Sequence, residues 1–517
     1  MFLSTIVVAL AAQAATQTSP WEKEVVYQIF PRSFYSAKND HVGDLKGITS
    51  KLDYLKDLGF TAVLINPIFA SRMYHNYFAD DFLKVDPGFG TNRDFFELIR
   101  QAHSRHIKVI LDMEVQYVAD RHPWFIQGIN NPKSDLIWMN GSNLFGDKLP
   151  GYDGQAIGYA TLNPDSKRLR TMTRDVFRYW AAPEGNPNRG VDGFRIDHMM
   201  DDLDNQHVKT GMLKNFWLPI EQYIRHLNPK AFFLAEQADW GFGTEVFEKS
   251  NVEAVYAFQL RAAWITLNKS KIEKALAATS SATPKGKTQF VFIENHDVER
   301  YASIVNRDPR LLRLGAVFNF TVKGTPMVYY GQELGMAGKQ GNWKTDGNDI
   351  PVRLAYRWTH KVEGKGSANF YRNGGPWAGV EYSTDGDGVS YEEEVGKRDS
   401  LLNFYKRLIH IRASYPALQT GTMELVDSGN PEVLSFDRVL GHSRIRIYLN
   451  LSSDKQLIHL PAASGSHTDI FSGKKSKRAD DPSPAVRPHG INVAAGWVVP
   501  AYGAAGFVLS FLRGLQG

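Results

Sequence analysis

Three acidic side chains each follow a short apolar run of the chain. They are Asp197 in GVDGFRIDH, Glu236 in AFFLAEQADW and Asp297 in QFVFIENHD. An apolar run that stops on a carboxylate is typical of a buried parallel strand that delivers the acid to its C-terminal edge. Three such runs, separated by segments of helix length, predict one active site built from several strand ends. Cleavage of glycosidic bonds is the chemistry that depends most on clustered carboxylates.

Strand-like and helix-like runs alternate along the chain from residue 25 onward. Eight strands with helices between them indicate an α/β protein, a parallel (β/α)8 TIM barrel. The predicted strands are 25–30, 61–66, 108–115, 191–197, 231–236, 252–258, 289–295 and 326–331. The predicted helices are 47–60, 93–107, 169–182, 216–228 and 399–418.

Two segments fall outside the barrel pattern. Residues 118–167 are rich in Asn, Asp, Gly and Pro, and a connection of this length predicts an inserted domain after the third strand. Residues 419–517 alternate short strands with Gly, Ser and Pro, which predicts a C-terminal antiparallel β-sandwich domain. The barrel is thereby assigned to residues 20–117 and 168–418.

The first fifteen residues have features of an export signal. The apolar stretch 2–12 is too short to cross a bilayer, and Ala12-Gln13-Ala14 resembles a signal-peptidase site. A charged segment before the apolar stretch is missing. We expect residues 1–15 to be a signal peptide and the protein to be exported, either periplasmic or secreted. No later segment predicts a transmembrane helix.

The composition is that of an ordinary globular protein. The 517 residues are 43% hydrophobic and 22% charged, which allows a large core and two or three domains. A net charge of +5 is small for this length, so nucleic acid is not expected as a partner. The oligomeric state stays open.

Several segments together resemble the α-amylase family of retaining glycosidases and transglycosylases. The segments, in order, are YQIFPRSF, GDLKGI, LDYLKDLGFTAVLINPIF, HNYFADDFLKVDPGFGT, GVDGFRID, FLAE, FIENHD and GTPMVYYGQELGM. The resemblance covers nearly everything from Val25 to the C-terminus. It implies a (β/α)8 barrel, a domain inserted after the third strand and a C-terminal β-sandwich, the layout that the periodicity predicts independently.

The resemblance implies a role for each of the three acids. Asp197 matches the nucleophile, which attacks the anomeric carbon and forms a covalent glycosyl-enzyme. Glu236 matches the general acid/base, whose pKa must be raised if it is to protonate the leaving oxygen near neutrality. Asp297 matches the acid that holds sugar hydroxyls and favours the oxocarbenium-like state. A retaining enzyme is expected to hold Asp197 and Glu236 about 5–5.5 Å apart.

Further positions match substrate-binding residues of the family. Arg195 lies two residues before the matched nucleophile, on the same face of the strand, and is expected to keep that acid ionised. His296 matches a sugar-binding histidine, and Tyr77 matches the aromatic residue that stacks under the sugar in the cleavage subsite. His75 and Asp81 lie in the same matching segment and join the predicted substrate-binding set.

The segment that ends the third strand departs from the family pattern. Where the family has Asp-x-x-x-Asn-His, this chain has Asp112 and then Gln116 and Tyr117 in the last two places. In the family that Asn often helps to bind a structural calcium ion. Gln is longer by a methylene, and the usual Asp-Leu-Asn of the inserted domain reads Thr-Leu-Asn at 161–163, so the calcium motif is not intact. No cofactor is expected to be required and no metal ligand is assigned, although a structural calcium stays open.

The replaced histidine bears on substrate choice, because in the family it contacts the sugar in the cleavage subsite. Tyr117 can still donate a hydrogen bond from a different place, and it joins the predicted substrate-binding set. Two interpretations stay open: lineage drift with unchanged duty, and a reshaped subsite for an unusual glucan or linkage. Phe78 stands where many exo-acting α-glucosidases have an Asp, which favours an open cleft and internal cleavage or ring opening.

The sequence therefore predicts a retaining α-glycoside hydrolase whose partner is an α-glucan or oligosaccharide. The bond is α-1,4 or α-1,6, in a linear or cyclic substrate, and cleavage is by double displacement. A transglycosylase would use the same glycosyl-enzyme and differ only in the acceptor. An inactive glycan-binding member is a third alternative, and the presence of all three acids argues against it.

Overall fold

The computed structural model describes residues 19–131, 133–138, 149–150, 156–203, 207, 209–380, 382–459, 469–471, 496–499 and 502–509. The signal peptide predicted at residues 1–15 lies outside the described residues, as do parts of both predicted accessory domains. No helix within the described part of the chain is long and apolar enough to cross a membrane.

The described strands are twenty in number. They are β1 Val26–Ile29, β2 Ala62–Ile65, β3 Phe69–Ala70, β4 Asp81–Val85, β5 Lys108–Met113, β6 Tyr117–Ala119, β7 Leu149–Pro150, β8 Ala156–Ile157, β9 Tyr159–Thr161, β10 Gly193–Met199, β11 Phe232–Gln237, β12 Ala254–Tyr256, β13 Thr288–Val291, β14 Thr325–Tyr329, β15 Thr422–Leu425, β16 Val433–Leu440, β17 Ser443–Asn450, β18 Gln456–His459, β19 Gly496–Val499 and β20 Ala504–Leu509.

The helices lie mostly between the barrel strands. The α-helices are α1 Pro31–Phe34, α2 Leu45–Ser50, α3 Leu52–Leu58, α4 Asn92–Ser104, α5 Pro123–Ile129, α6 Lys167–Ala181, α7 Leu218–Leu227, α8 Thr244–Lys249, α9 Phe258–Trp264, α10 Lys269–Ala282, α11 Tyr301–Ile304, α12 Pro309–Thr321, α13 Tyr391–Glu394, α14 Leu401–Ser414 and α15 Pro416–Thr420. A π-helical turn at Leu213–Trp217 precedes α7, and short 3₁₀ turns lie at Pro20–Lys23, Pro183–Gly185, Pro187–Arg189, Gln332–Leu334, Asp346–Val352 and Phe370–Asn373.

Eight parallel strands close into a barrel in the order β1, β2, β5, β10, β11, β12, β13 and β14. This confirms the predicted TIM barrel. Because side chains alternate along a strand, every second residue points into the barrel. The inner positions are apolar low in the barrel, as in Leu64, Ile110 and Leu234. Two residues further along each of these strands the chain places Asn66, Asp112 and Glu236, so the inner face becomes polar at the C-terminal rim.

The helices largely follow the predicted periodicity, with two clear differences. The predicted helix 47–60 is divided at Lys51 into α2 and α3. The predicted helix 399–418 is two helices, because Pro416 has no backbone N–H to continue α14 and instead begins α15. The starts of the helices carry caps that the sequence supplies. Thr91 and Asp94 form a reciprocal capping box at α4, and Ser166 caps α6.

Both accessory segments contain antiparallel strand pairs, which the sequence predicted for the C-terminal segment. After β5, strand β6 pairs with β9 and β7 pairs with β8. At the C-terminal end a four-stranded sheet runs in the order β15, β16, β17, β20, and a separate two-stranded sheet joins β18 to β19. The two sheets share one apolar cluster, in which Tyr448 and Phe507 of the larger sheet meet Ile458 of the smaller one.

Arg438 of β16 joins the C-terminal sheet to the barrel. Its side chain is fully buried and donates hydrogen bonds to four backbone carbonyls, those of Thr321, Val322, Gln419 and Gly421, at 2.7–3.2 Å. The carbonyls of Thr321 and Val322 lie at the C-terminal end of α12, where backbone carbonyls have no hydrogen-bond donor within the helix. The guanidinium supplies those donors, so the carbonyls are not left unpaired when the sheet covers them.

We predict that Arg438→Met lowers the free energy of unfolding by about 3 kcal/mol, since it removes charged hydrogen bonds from several buried carbonyls. Chemical denaturation followed by circular dichroism measures the change. Lys455→Met, at an exposed position before β18, is the control and should leave the midpoint unchanged. A loss for Arg438→Met no larger than that of the control would contradict this role.

Candidate active site

Three acids meet at the C-terminal rim of the barrel. Asp197 lies on β10 and Glu236 on β11, with 8% and 2% of their surfaces exposed. Asp297 reaches the same rim from the segment after β13, which ends at Val291 and is shorter than the predicted strand 289–295. The structure therefore brings together the acids that the sequence predicted as one site.

Arg195 binds both of the first two acids. Its guanidinium donates through Nη1 to Asp197 and through Nη2 to Glu236 Oε2 at 2.6 Å. A further bond from Nη1 reaches Asp112 Oδ1 at 2.7 Å. Parallel pairing sets this arrangement, because Arg195 on β10 is in register with Asp112 on β5 and Leu234 on β11.

The site holds Asp197 and Glu236 in opposite protonation states. Burial by itself raises the pKa of Asp197, but the charge of Arg195 and hydrogen bonds from Glu236 and Glu114 outweigh burial and hold that pKa below its usual range. Burial raises the pKa of Glu236 well above its usual range. The charge of Arg195 opposes this rise, and the charge of Asp197 adds to it. Asp197 is therefore ionised and Glu236 protonated near neutrality.

The two carboxyl groups are also close to each other. Asp197 binds Nη1 and Glu236 binds Nη2 of the same guanidinium. An inverting glycosidase needs a gap of about 6.5–9.5 Å, into which a water molecule fits between its two acids. Two acids on one guanidinium fit the closer arrangement, in which one acid attacks the sugar directly.

A second network positions the residues beside Asp112. The Tyr77 hydroxyl donates to Asp112 Oδ2 at 2.8 Å and also contacts His296 Nε2. The Tyr77 and His296 rings are stacked, with centroids 5.7 Å apart and planes 4° apart. Asn66 donates to both Asp112 and the Tyr77 hydroxyl, and Gln28 bonds to His296 Nδ1 at 2.7 Å. These bonds fix the orientation of both rings.

His296 and Asp297 differ in their electrostatic surroundings. Burial, with the charges of Arg353 and Arg195, lowers the pKa of His296 well below its usual range, so the ring is neutral. Burial raises the pKa of Asp297 to about 6, and Arg353 opposes that rise. Arg353 Nη2 binds Asp297 Oδ1 at 3.0 Å and Asp349 at 3.2 Å. Its Nε donates to the backbone carbonyl of His296 at 2.8 Å, so one guanidinium orients the whole segment.

Trp240 gives the site an exposed aromatic face next to Glu236. Its Nε1 donates to Glu236 Oε1 at 3.1 Å, and its ring stacks on Phe258 with centroids 4.5 Å apart and planes 4° apart. The side chain nevertheless stays open to solvent, since 38% of the residue is exposed. A flat apolar ring in this position can support a sugar.

Comparison with known proteins decides the family. A family model of the alpha-amylase catalytic domain matches residues 28–421, which is most of the chain. This chain belongs to the α-amylase family. Membership makes it a glycoside hydrolase, and retention is the norm in the α-amylase family.

Relatives of the family are similar over most of their length. Alpha-amylase 3 of Dictyoglomus thermophilum is 30% identical over 455 residues, which cover 84% of this chain and 86% of that protein. Probable oligo-1,6-glucosidase 3 of Bacillus subtilis is 27% identical over 530 residues, covering 86% and 93%. The crystal structure of the alpha-amylase from H.orenii has a TM-score of 0.75 at 26% identity and covers 94% of this chain and 99% of that one. The predicted family and fold are confirmed.

The α-amylase segment around residue 75 carries two further residues of the predicted substrate-binding set, His75 and Asp81. His75 is buried beside Tyr77, and its Nδ1 accepts a hydrogen bond from the Tyr77 backbone N–H. Burial lowers the pKa of His75 to about 3, so this ring is neutral. Asp81 lies at the start of β4, where its carboxylate pairs with Lys84 at 2.8 Å. Its Oδ1 also accepts the backbone N–H of Leu83 at 2.9 Å, so both of these partners lie on β4.

The two residues that depart from the α-amylase pattern have separate places. The Tyr117 ring packs edge-on against Phe78, with centroids 6.1 Å apart, and against Tyr159 at 6.2 Å. Gln116 is buried, and its Nε2 donates to the backbone carbonyls of Asp197 at 3.3 Å and His198 at 2.9 Å. Gln116 therefore stabilises the end of β10, while Tyr117 forms part of an aromatic wall with the inserted segment.

The residues at the α-amylase calcium position do not fit a calcium ion. The amide of Gln116 donates to carbonyls, and Asn163 uses its side chain to donate to the Asp135 carbonyl and to accept from Asp165. Calcium needs six or more oxygen ligands, and among the residues that the structure describes Gln116 and Asn163 do not supply such a set. Within the described residues, the one acidic and histidine group close enough to hold a cation is Glu114, Asp197 and His198, which contains the matched nucleophile.

Several functional residues escaped the sequence analysis. Asn66 ends the apolar run TAVLIN, so the strand-end pattern that found the three acids could have found it as well. Trp240 follows Glu236 by four residues, and Glu114 follows Asp112 by two on the same strand face. Arg353 lies in the long segment after β14, whose sequence carries no signal for its place in the site.

We predict that Arg353→Met moves the acidic limb of the pH profile of kcat/KM to higher pH. An ionised Asp297 accepts hydrogen bonds through both oxygens and protonation weakens it as an acceptor, so we expect activity to fall as pH drops through its pKa of about 6. Removal of the Arg353 charge raises that pKa further, and a shift of the limb by about one to three pH units is expected. Arg310→Met, at the exposed start of α12, is the control. An unshifted limb in a folded Arg353→Met variant would show that Arg353 does not act on Asp297.

Proposed function

We propose that this chain cleaves α-glucosidic bonds with retention of configuration, with Asp197 as the nucleophile and Glu236 as the general acid/base. The observation that supports this assignment is the division of protonation states around Arg195. Two carboxyl groups whose surroundings push their pKa values apart are the signature of a nucleophile and acid pair. Here Asp197 and Glu236 bind the two terminal nitrogens of one buried guanidinium, and the pKa of Asp197 is lowered while that of Glu236 is raised.

In the first displacement, Asp197 attacks the anomeric carbon while Glu236 gives its proton to the leaving oxygen. The glycosidic C–O bond breaks as the bond from C1 to Asp197 forms. Asp297 and the neutral His296 are placed to hold sugar hydroxyls, and the Tyr77 ring is placed to stack under the sugar. Arg353 and Gln28 keep those groups oriented, so the sugar meets a preformed site.

In the second displacement, water takes the place of the leaving sugar. Glu236, now ionised, accepts a proton from water as the water oxygen attacks C1, and the bond to Asp197 breaks. Two inversions at C1 give net retention. The hydrogen bond from Trp240 to Glu236 Oε1 keeps the acid/base in place through its change of charge.

We propose an α-linked glucan or oligosaccharide as the substrate. The family supports this class, and relatives named alpha-amylase and oligo-1,6-glucosidase leave the α-1,4 and α-1,6 bonds as the two choices. The exposed Trp240 ring beside the acid/base supports a further sugar on the leaving-group side. The same ring would hold a sugar acceptor, which favours transglycosylation as the second candidate function of this site.

Further proposals rest on the sequence. We propose that the chain is exported by a signal peptide at residues 1–15. We also propose that the catalytic barrel occupies residues 20–117 and 168–418, between an inserted domain at 118–167 and a C-terminal domain at 419–517.

Product analysis on oligosaccharides of defined linkage tests the proposed function. The wild type is expected to release shorter α-anomeric products from α-1,4- or α-1,6-linked glucans, and Asp197→Asn should lower kcat by at least about 1,000-fold. Asp175→Asn, on the exposed face of α6, is the matched control and should keep wild-type activity. Longer products that dominate at high substrate concentration would establish transfer as the main activity. Failure to cleave any α-linked glucan, or full activity in Asp197→Asn, would contradict the proposal.

A further inference from the structure

The carboxyl group of Glu114 lies against that of Asp197, although the mechanism above gives it no part. Glu114 directly follows β5 and points toward the rim from the same strand face as Asp112. It is 2% exposed. Oε1 accepts the backbone N–H of Gln116, whereas Oε2 is buried without a hydrogen-bond donor. One Glu114 oxygen lies within 4.8 Å of both the Asp197 carboxylate and the His198 ring.

A proton between Glu114 and Asp197 explains this contact. Two adjacent buried carboxylates repel each other strongly, so one of the pair holds a proton. Asp197 receives the hydrogen bond from Arg195, which favours its anion. Burial, followed by the charge of Asp197, raises the pKa of Glu114 well above its usual range. The proton therefore belongs to Glu114, and the oxygen without a donor is the one free to carry it.

We propose that Glu114 is a positioning residue whose protonated carboxyl group donates a hydrogen bond to the nucleophile Asp197 and promotes the release of Asp197 from the glycosyl-enzyme. The geometry behind this inference is the approach of the two carboxyl groups, with one oxygen of each within 4.8 Å of the other, and the buried Glu114 Oε2 that lacks a donor. This inference rests on the proposed function, since it takes Asp197 as the nucleophile.

The effect of such a donor differs between the two displacements. In the second one, the C1–O bond to Asp197 breaks and its electron pair returns to the carboxylate, while the proton of water goes to Glu236. A donor that faces Asp197 stabilises the negative charge that develops there. For a hydrogen bond to a charged group, this should raise the rate of the second displacement by about tenfold to a hundredfold. In the first displacement the same donor makes the carboxylate a weaker nucleophile. Loss of Glu114 should therefore slow the second step and spare the first.

Kinetics with an activated fluoride substrate separate the two steps. The probe is α-glucosyl or α-maltosyl fluoride, whichever the wild type turns over, because a fluoride leaving group makes little use of the proton of Glu236. For Glu114→Val, kcat should fall by about tenfold or more with a parallel fall in KM, so that kcat/KM changes little. Intact-mass spectrometry during turnover should show that the covalent glycosyl-enzyme accumulates. Glu114→Gln can donate to Asp197 and accept from Gln116, so it should keep kcat close to that of the wild type.

Glu221 supplies a matched control on the outside of the barrel. It is a buried glutamate of α7 that also accepts one backbone N–H, from Asn251, and has its other oxygen without a donor. Glu221→Val should leave both kinetic constants unchanged. An apolar residue can replace a buried acid without loss of stability. Thermal unfolding of both variants checks this, and the Glu114→Val variant should unfold at a temperature no lower than that of the Glu221→Val variant.

Three results would overturn the inference. They are unchanged kcat in Glu114→Val, equal loss of kcat and kcat/KM, and a tightly bound divalent cation in purified wild-type protein that is lost in Glu114→Val. The last would make Glu114 a metal ligand and not a donor. A failure of the proposed function is distinguishable from all three, since the wild type would then form no glycosyl-enzyme on Asp197.

Discussion

One guanidinium, that of Arg195, binds three buried carboxyl groups, those of Asp112, Asp197 and Glu236. A single positive charge cannot balance three or four carboxylates at low dielectric, so some of these acids have to hold a proton. Asp197 accepts a hydrogen bond from Arg195, whose charge holds the pKa of Asp197 below its usual range against the effect of burial, so Asp197 is ionised. The roles of nucleophile and acid therefore follow from the distribution of protons around Arg195, and not from any intrinsic difference between Asp and Glu.

The barrel creates this constraint through its register. Arg195 pairs with Asp112 of β5 on one side and with Leu234 of β11 on the other, one residue pair before Ala235. Its guanidinium is therefore within reach of the acids on both neighbouring strands. A register shift between β10 and β11 after Ile196 then turns His198 into a left-handed conformation, with φ of 42°. Its backbone N–H donates to Glu236 at 3.3 Å, so the irregular strand end also serves the site.

The sequence predicted the parts of the site that strand periodicity controls. Asp197 and Glu236 end apolar runs, and their positions follow once the runs are recognised as barrel strands. Trp240 and Arg353 could not be placed in this way, because the path of the segments after β11 and β14 depends on tertiary packing. Asp81 was predicted from a matching segment and stays a prediction, and its carboxylate pairs with Lys84 on the β3–β4 hairpin.

Covalent trapping tests the central claim most directly, namely that the acid kept ionised by Arg195 is the nucleophile. A 5-fluoro-α-glycosyl fluoride slows both displacements but leaves the first faster, so the glycosyl-enzyme accumulates. After proteolysis, mass spectrometry locates the attached sugar. We expect the label on Asp197, in the peptide that contains GFRID. A label on Glu236, Glu114 or Asp297, or complete turnover of the reagent with no covalent adduct, would contradict the account.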